Sequence, residues 1–209
     1  MKNKYTRRDS LKLMGSAVVG SQLVRGAQPL DAQTDGVRTV RAVSVDEDMR
    51  GIFVIMSTPY TESGAVHYDD LAFQVEWLDR AGAHGLVWPQ NSSDYPRLTT
   101  EEIRRGFEVL TEANRGRSLT LVLGVQQDST PEMVAQATFA EGLEPDMMIA
   151  MPPKVGDSLE DYREYYSALA EVTSRPIMIQ TSPNRPGLEF KTDFIKELAD
   201  QYPNLGYVK

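Results

Sequence analysis

The chain has 209 residues, 41% hydrophobic and 25% charged, a balance typical of a globular domain rather than of a disordered chain. It contains no cysteine, which excludes disulfides, thiolate metal sites and cysteine nucleophiles, and its two histidines, His67 and His84, are too scattered for a histidine metal centre. Residues 1–32 contribute +4 to the formal net charge of −8, so the remainder carries −12. Such an acidic body is a poor match for phosphate backbones, and we expect no nucleic-acid partner.

The first 32 residues resemble a signal peptide for export. Arg7 and Arg8 precede a small-residue apolar stretch from Leu13 to Val24, an order similar to that of twin-arginine signals. A twelve-residue stretch is too short to span a bilayer as a helix, so we expect no stable membrane insertion. The interpretation is a twin-arginine-type signal over residues 1–32, export to the periplasm or the exterior, and a charged linker over residues 33–50.

From Gly51 onward, short apolar runs alternate with longer segments of helical periodicity. The runs recur about every thirty residues, the length of one βα unit, and they are continuously apolar, as in parallel strands covered on both faces. The predicted strands are Ile52–Ser57, Leu86–Pro89, Leu119–Leu123, Met147–Met151, Pro176–Thr181 and Leu205–Lys209. The predicted helices are Tyr68–Ala81, Thr100–Asn114, one that opens at Ser129–Glu132, Asp161–Glu171 and Lys191–Tyr202.

Successive βα units without a glycine-rich phosphate-binding motif predict an α/β fold of the (β/α)8 TIM-barrel type rather than a dinucleotide-binding fold. A closed barrel needs eight strands, and the run at Leu205–Lys209 is the sixth. We therefore expect residues 51–209 to form a partial barrel, truncated after the sixth strand.

Lys209 follows the sixth apolar run, at the strand end where α/β barrels place their chemistry. Partial burial there lowers the pKa of a lysine amine, because it disfavours the charged form, and leaves neutral amine to attack a carbonyl group. From this residue alone, a solvated lysine is the alternative, because lysine is almost never fully buried without a partner.

Several segments in this order resemble the dihydrodipicolinate synthase / N-acetylneuraminate lyase family, over residues 51–209. They are Gly51–Pro59, "LTTEE" at 98–102, Gly124-Val125 followed by "STPE", "SPNRPG" at 182–187 and "PNLGYVK" at 203–209. The resemblance implies a TIM barrel that assembles as a tetramer or dimer. It also implies a lysine that forms a Schiff base with pyruvate or a related 2-keto acid, without a cofactor or a metal, and Lys209 occupies that position.

Four further residues match substrate-binding positions of the family. Thr58 matches a threonine at the end of the first strand, and Asn91 and Ser92 lie where family members hold the carboxylate of the keto acid. Arg185 matches an arginine that meets a distal anionic group, a task that suits its guanidinium fork. Around Asn91 and Ser92 the two glycines of the family pattern are replaced by Gln90 and Ser93.

The largest departure is Gln180, which stands where the family has a tyrosine that relays protons during Schiff-base formation. The catalytic residues are predicted to be Lys209, Gln180 and Tyr95. Because the amide of Gln180 cannot titrate, Tyr95 or a water is expected to carry the protons that the family's tyrosine relays. Pro153 and Lys154 likewise replace an aromatic pair of the family. Dihydrodipicolinate synthase activity itself is therefore not expected.

The sequence supports three hypotheses about the function of the chain. The first is a lyase or aldolase that breaks a carbon–carbon or carbon–oxygen bond of a 2-keto acid through Lys209. The second is an exported, catalytically inactive barrel that binds a small carboxylic acid. Gln180 favours the second. A lysine at the strand end favours the first, because an amine is costly to desolvate and a protein that only binds its ligand has no use for one there. The third is a truncated piece without function.

Overall fold

The structure, a computed structural model, describes residue 49, residues 51–181 and residues 188–209. Strands and helices alternate throughout this part of the chain. The strands are β1 (Phe53–Ile55), β2 (Gly85–Trp88), β3 (Thr120–Gly124), β4 (Met147–Ala150), β5 (Ile177–Ile179) and β6 (Tyr207–Val208). The helices are α1 (Tyr68–Arg80), α2 (Thr100–Asn114), α3 (Thr130–Glu141), α4 (Leu159–Val172) and α5 (Thr192–Gln201).

The six strands form one parallel sheet in the order β1-β2-β3-β4-β5-β6, so that each strand pairs with the next one along the chain. Strands in sequential order, with a helix after each of the first five, are the arrangement of a (β/α) barrel. In doubly wound sheets the order of the strands reverses at a switch point. The predicted α/β class and barrel-type architecture are therefore confirmed over these six units.

Both faces of the sheet are apolar, which explains why the predicted strands are continuous hydrophobic runs. Alternate residues such as Leu86 and Trp88 pack against the helices in the larger cluster of buried side chains. The residues between them form a second cluster on the opposite face, made of Val87, Val122, Met147 and Ile149 with partly buried neighbours on β1, β5 and β6. This second face corresponds to the interior of a barrel.

Side-chain caps determine where two of the helices begin. Thr99 Oγ1 accepts a hydrogen bond from the backbone N–H of Glu102 at 3.2 Å, and Glu102 accepts one from the N–H of Thr99 at 2.9 Å. Helix α2 therefore begins at Thr100, as predicted. The same reciprocal arrangement joins Ser158 and Asp161, and α4 therefore begins at Leu159, two residues earlier than predicted. Asp161 is thus the third helical residue and the partner of the N-cap Ser158, not the first residue of the helix.

The predicted signal peptide lies outside the described residues, as does the predicted linker except for residue 49. Both remain predictions. Within the part of the chain that the structure describes, no helix is long and apolar enough to cross a membrane.

Candidate active site

The predicted site residues come together because parallel strands end at one edge of the sheet. Thr58 follows β1, Asn91 and Ser92 follow β2, Gln180 follows β5 directly, and Lys209 follows β6 directly. This edge is the one on which barrel enzymes build their sites. Another predicted site residue, Arg185, lies outside the described residues.

Lys209 and Gln180 are neighbours across the pair β5–β6. The register aligns Ile179 with Val208, and the backbone N–H of Lys209 donates to the carbonyl oxygen of Ile179 at 2.9 Å. The side chains of the next aligned pair then meet, and Lys209 Nζ donates to Gln180 Oε1 at 3.1 Å. Gln180 is 5% exposed, so the lysine amine contacts a buried amide oxygen.

Partial burial lowers the pKa of Lys209 from its usual value of 10.5. The cause is desolvation, which disfavours the ammonium more than the neutral amine. The residue nevertheless remains exposed, so an approaching ligand can reach the amine. Accessibility together with a larger neutral fraction is what a nucleophilic lysine needs.

Asn91 and Ser92 are exposed on a short 3-10 helix, Asn91–Ser93, that directly follows the end of β2. Neither replaced glycine position requires a glycine here, because Gln90 is extended (φ −137°) and Ser93 lies within the 3-10 helix. The left-handed conformation falls instead on Asp94 (φ 59°), and aspartate tolerates that region better than most residues. The turn thus presents Asn91 and Ser92 at the edge without the glycines of the family pattern.

Thr58 supports this turn. Its hydroxyl donates to the carbonyl oxygen of Ser93 and accepts a hydrogen bond from Trp88 Nε1 at 3.0 Å. The hydroxyl proton of Thr58 is therefore used within the protein, while the predicted role of Thr58 in substrate binding stays a prediction.

Tyr95 is buried, and its hydroxyl donates to the carbonyl oxygen of Gln126 at 3.0 Å. Burial raises the pKa of Tyr95 to about 12, with smaller contributions from the negative charges of Asp128 and Glu132. The phenol therefore stays protonated at neutral pH, and its proton is used in the hydrogen bond to the main chain. Its predicted role as a proton relay stays a prediction.

A pair of buried glutamines lies at the same edge, Gln90 after β2 and Gln126 after β3, and neither was predicted as a site residue. Their side chains, only 1% and 2% exposed, are hydrogen-bonded to each other. The available signal was their position, since each follows a strand end within two residues. Nothing in the sequence showed that both side chains are buried.

A small cleft, with a volume of about 50 Å³, opens beside the turn that carries Asn91 and Ser92. Lys154 Nζ pairs with Asp128 Oδ1 at 2.8 Å and links the loops that follow β3 and β4 on one side of the cleft. Other lining residues are Asn91, Tyr95, Gln126, Met151 and Pro152. Among the described residues, no group of three or more histidine, aspartate or glutamate side chains could hold a metal ion.

The chain is similar to known proteins over the same region. The model of the Dihydrodipicolinate synthetase family matches residues 48–209. A 4-hydroxy-tetrahydrodipicolinate synthase from Methanococcus aeolicus is 26% identical over 162 residues, which cover 77% of this chain and 56% of the relative. The corresponding enzyme of Rhizobium meliloti is 27% identical over 161 residues, which cover 77% of this chain and 54% of the relative.

Solved structures show the same similarity. Dihydrodipicolinate synthase from Agrobacterium tumefaciens superposes with a TM-score of 0.70 at 27% identity, covering 77% of this chain and 54% of that one. N-acetylneuraminate lyase from Mycoplasma synoviae superposes with a TM-score of 0.65 at 23% identity, covering 73% and 51%, a similarity of fold. The chain thus spans about half the length of the relatives that it matches.

Proposed function

Because the chain belongs to the dihydrodipicolinate synthetase family, we propose that it is a Schiff-base-forming lyase or aldolase that acts on pyruvate or a related 2-keto acid. The observation that carries this proposal is the position of Lys209. Its amine lies at the carboxyl end of a barrel strand, is accessible, and has a pKa lowered by partial burial.

The proposed first step uses the neutral amine of Lys209. Its nitrogen forms a bond to the keto carbon and gives up its two protons, the carbonyl oxygen takes up two protons and leaves as water, and an imine remains. The imine then withdraws electrons from the adjacent carbon, so that a bond to that carbon can break or form. No cofactor is needed, since the lysine supplies the electron sink.

Asn91 and Ser92 are proposed to hold the carboxylate of the keto acid. Both are exposed at the edge that carries Lys209, and an amide N–H and a hydroxyl are suitable donors to a carboxylate oxygen. Arg185 is proposed to meet a distal anionic group, as in the family pattern.

Gln180 is proposed to orient the amine of Lys209 through the 3.1 Å hydrogen bond, without titrating itself. Water, rather than Tyr95, is the proposed proton carrier, because the phenol has a pKa of about 12 and donates to the main chain. Loss of a positioned proton relay typically lowers rates by about 10²–10⁴-fold. We therefore propose an activity that differs from that of dihydrodipicolinate synthase itself.

Hydrogen exchange into pyruvate tests the proposal. An imine between Lys209 and pyruvate equilibrates with its enamine, so the methyl hydrogens of pyruvate should exchange in D2O, which one-dimensional NMR follows as a loss of the methyl signal. Lys209→Ala should abolish this exchange. Lys196→Ala is the matched control, because Lys196 is an exposed lysine on the outer helix α5. This variant should promote the exchange of pyruvate hydrogens as fast as the unmodified chain does.

Gln180 supports a second candidate, an exported barrel that binds a small carboxylic acid without turning it over. A buried amide in place of a titrating tyrosine is compatible with binding alone. Saturable binding of pyruvate without any exchange above the Lys209→Ala level would favour this candidate.

A further inference from the structure

The side chains of Gln90 and Gln126, which we call the amide pair, connect the ends of β2 and β3. Gln90 Nε2 donates to Gln126 Oε1 at 2.9 Å and to the carbonyl oxygen of Pro89 at 2.9 Å. Gln126 Nε2 donates to the same Pro89 carbonyl oxygen at 2.9 Å. Two amides thus converge on one main-chain acceptor, directly before the turn that carries Asn91 and Ser92.

The amide pair is continuous with that turn. The backbone N–H of Gln90 donates to Ser93 Oγ at 3.0 Å, and Ser93 Oγ donates to the carbonyl oxygen of Met56 at 2.6 Å. The N–H of Ser93 donates back to the carbonyl oxygen of Gln90 at 2.8 Å. The residues on both sides of Asn91 and Ser92 are therefore attached to the ends of β1, β2 and β3, while Asn91 and Ser92 themselves face solvent.

The pair occupies space that exists because β3 ends in a glycine. A Cβ on Gly124 would lie 2.9 Å from Gln90 Nε2 and 3.1 Å from Gln126 Nε2. The glycine at position 124 therefore leaves the room that both amide groups occupy.

We propose that Gln90 and Gln126 are positioning residues for ligand binding. The amide pair fixes the place of the Asn91–Ser92 donors and thereby determines the affinity for the carboxylate of the ligand, while the reactivity of Lys209 does not depend on it. This inference rests on the proposed function in one respect, the assignment of Asn91 and Ser92 to the carboxylate.

The test removes the hydrogen bonds but keeps the volume, with Gln126→Met and Gln90→Met made separately. The first measurement is calorimetric binding of pyruvate in the Lys209→Ala background, where no imine can form. Each substitution should weaken binding about tenfold, which corresponds to about 1.4 kcal/mol. The second measurement, in the chain with Lys209, is borohydride trapping, and there the half-saturating pyruvate concentration should rise about tenfold while the maximum rate changes less than about twofold.

Gln136→Met is the matched control. Gln136 is also a buried glutamine, 1% exposed, but it lies on α3 and is bonded to Arg104 rather than to the turn. Its substitution should lower the melting temperature without changing pyruvate affinity. Because the two pair variants act on opposite ends of the pair, either one that folds, as judged by circular dichroism, suffices for the test.

Unchanged pyruvate affinity in a folded pair variant would overturn the inference, as would a Gln136→Met variant that loses affinity equally. Absence of pyruvate binding to Lys209→Ala would overturn it too, since the turn would then hold no carboxylate. Pair-dependent binding without any trapping on Lys209 would leave the inference standing and refute the proposed enzyme activity instead.

Discussion

Gly124, the last residue of β3, is the position at which one added carbon disturbs the candidate site most directly. A Cβ there would lie 2.1 Å from the carbonyl oxygen of Pro89. Real Cβ contacts essentially never fall below 3.0 Å, so the carbonyl, which belongs to the main chain, would have to move. That carbonyl is the acceptor of both side chains of the amide pair, and it cannot move without disturbing them.

We expect Gly124→Ala to lower the free energy of unfolding by about 3 kcal/mol, the upper end of the range for overpacking, because the obstructing atom is backbone. At about 2–4 °C per kcal/mol for a chain of this size, the melting temperature should fall by about 6–12 °C. Thermal and urea unfolding followed by circular dichroism measure both quantities.

Gly142→Ala is the matched control. Gly142, at the carboxyl end of α3, has a φ of −64°, and a Cβ there would lie 3.4 Å from its nearest neighbour, the carbonyl oxygen of Phe139. Alanine fits this conformation, so the control should be neutral or more stable by about 0.4–1 kcal/mol. Equal melting temperatures for Gly124→Ala and the unmodified chain would refute the close approach of Pro89 to β3.

Three further predictions concern reactivity and export. Acetylation of Lys209 should rise with pH and reach half of its maximum rate below pH 10.5, since burial lowers the pKa of its amine; a midpoint at or above 10.5, located by peptide mass spectrometry, would contradict this. Tyr95→Phe should leave the maximum trapping rate within about threefold, because the phenol is bonded to the main chain, whereas a loss of about 10²-fold or more would assign it the relay. Substituting Arg7→Lys together with Arg8→Lys should retain a fused reporter in the cytoplasm, and unchanged export, measured by cell fractionation, would rule out a twin-arginine signal.

The architecture was predictable because its causes are local. Apolar runs at βα spacing mark the strands, and a cap such as Thr99 marks the start of a helix. The contact between Gln180 and Lys209 also follows from the sequence once the strands are taken as sequential neighbours, because each residue directly follows its strand.

The finer geometry of the site depends on loop conformation and rotamers, which leave no periodic signal. The hydroxyl of Thr58 matched a substrate-binding position, yet it is bonded to Trp88 and to the main chain of Ser93. The left-handed residue of the turn is Asp94 and not one of the replaced glycine positions. Burial of Gln90 over Gly124 requires two strand ends to approach each other closely, and a single sequence does not specify that distance.

Reductive trapping shows directly whether Lys209 is a Schiff-base nucleophile. The chain is incubated with pyruvate and, in parallel, with longer 2-keto acids, then reduced with borohydride, digested and analysed by peptide mass spectrometry. We expect an added mass on the peptide that contains Lys209, present in Lys196→Ala and absent in Lys209→Ala. A chain that carries no adduct on Lys209 with any of these keto acids, or that carries the adduct equally on other lysines, would contradict this expectation.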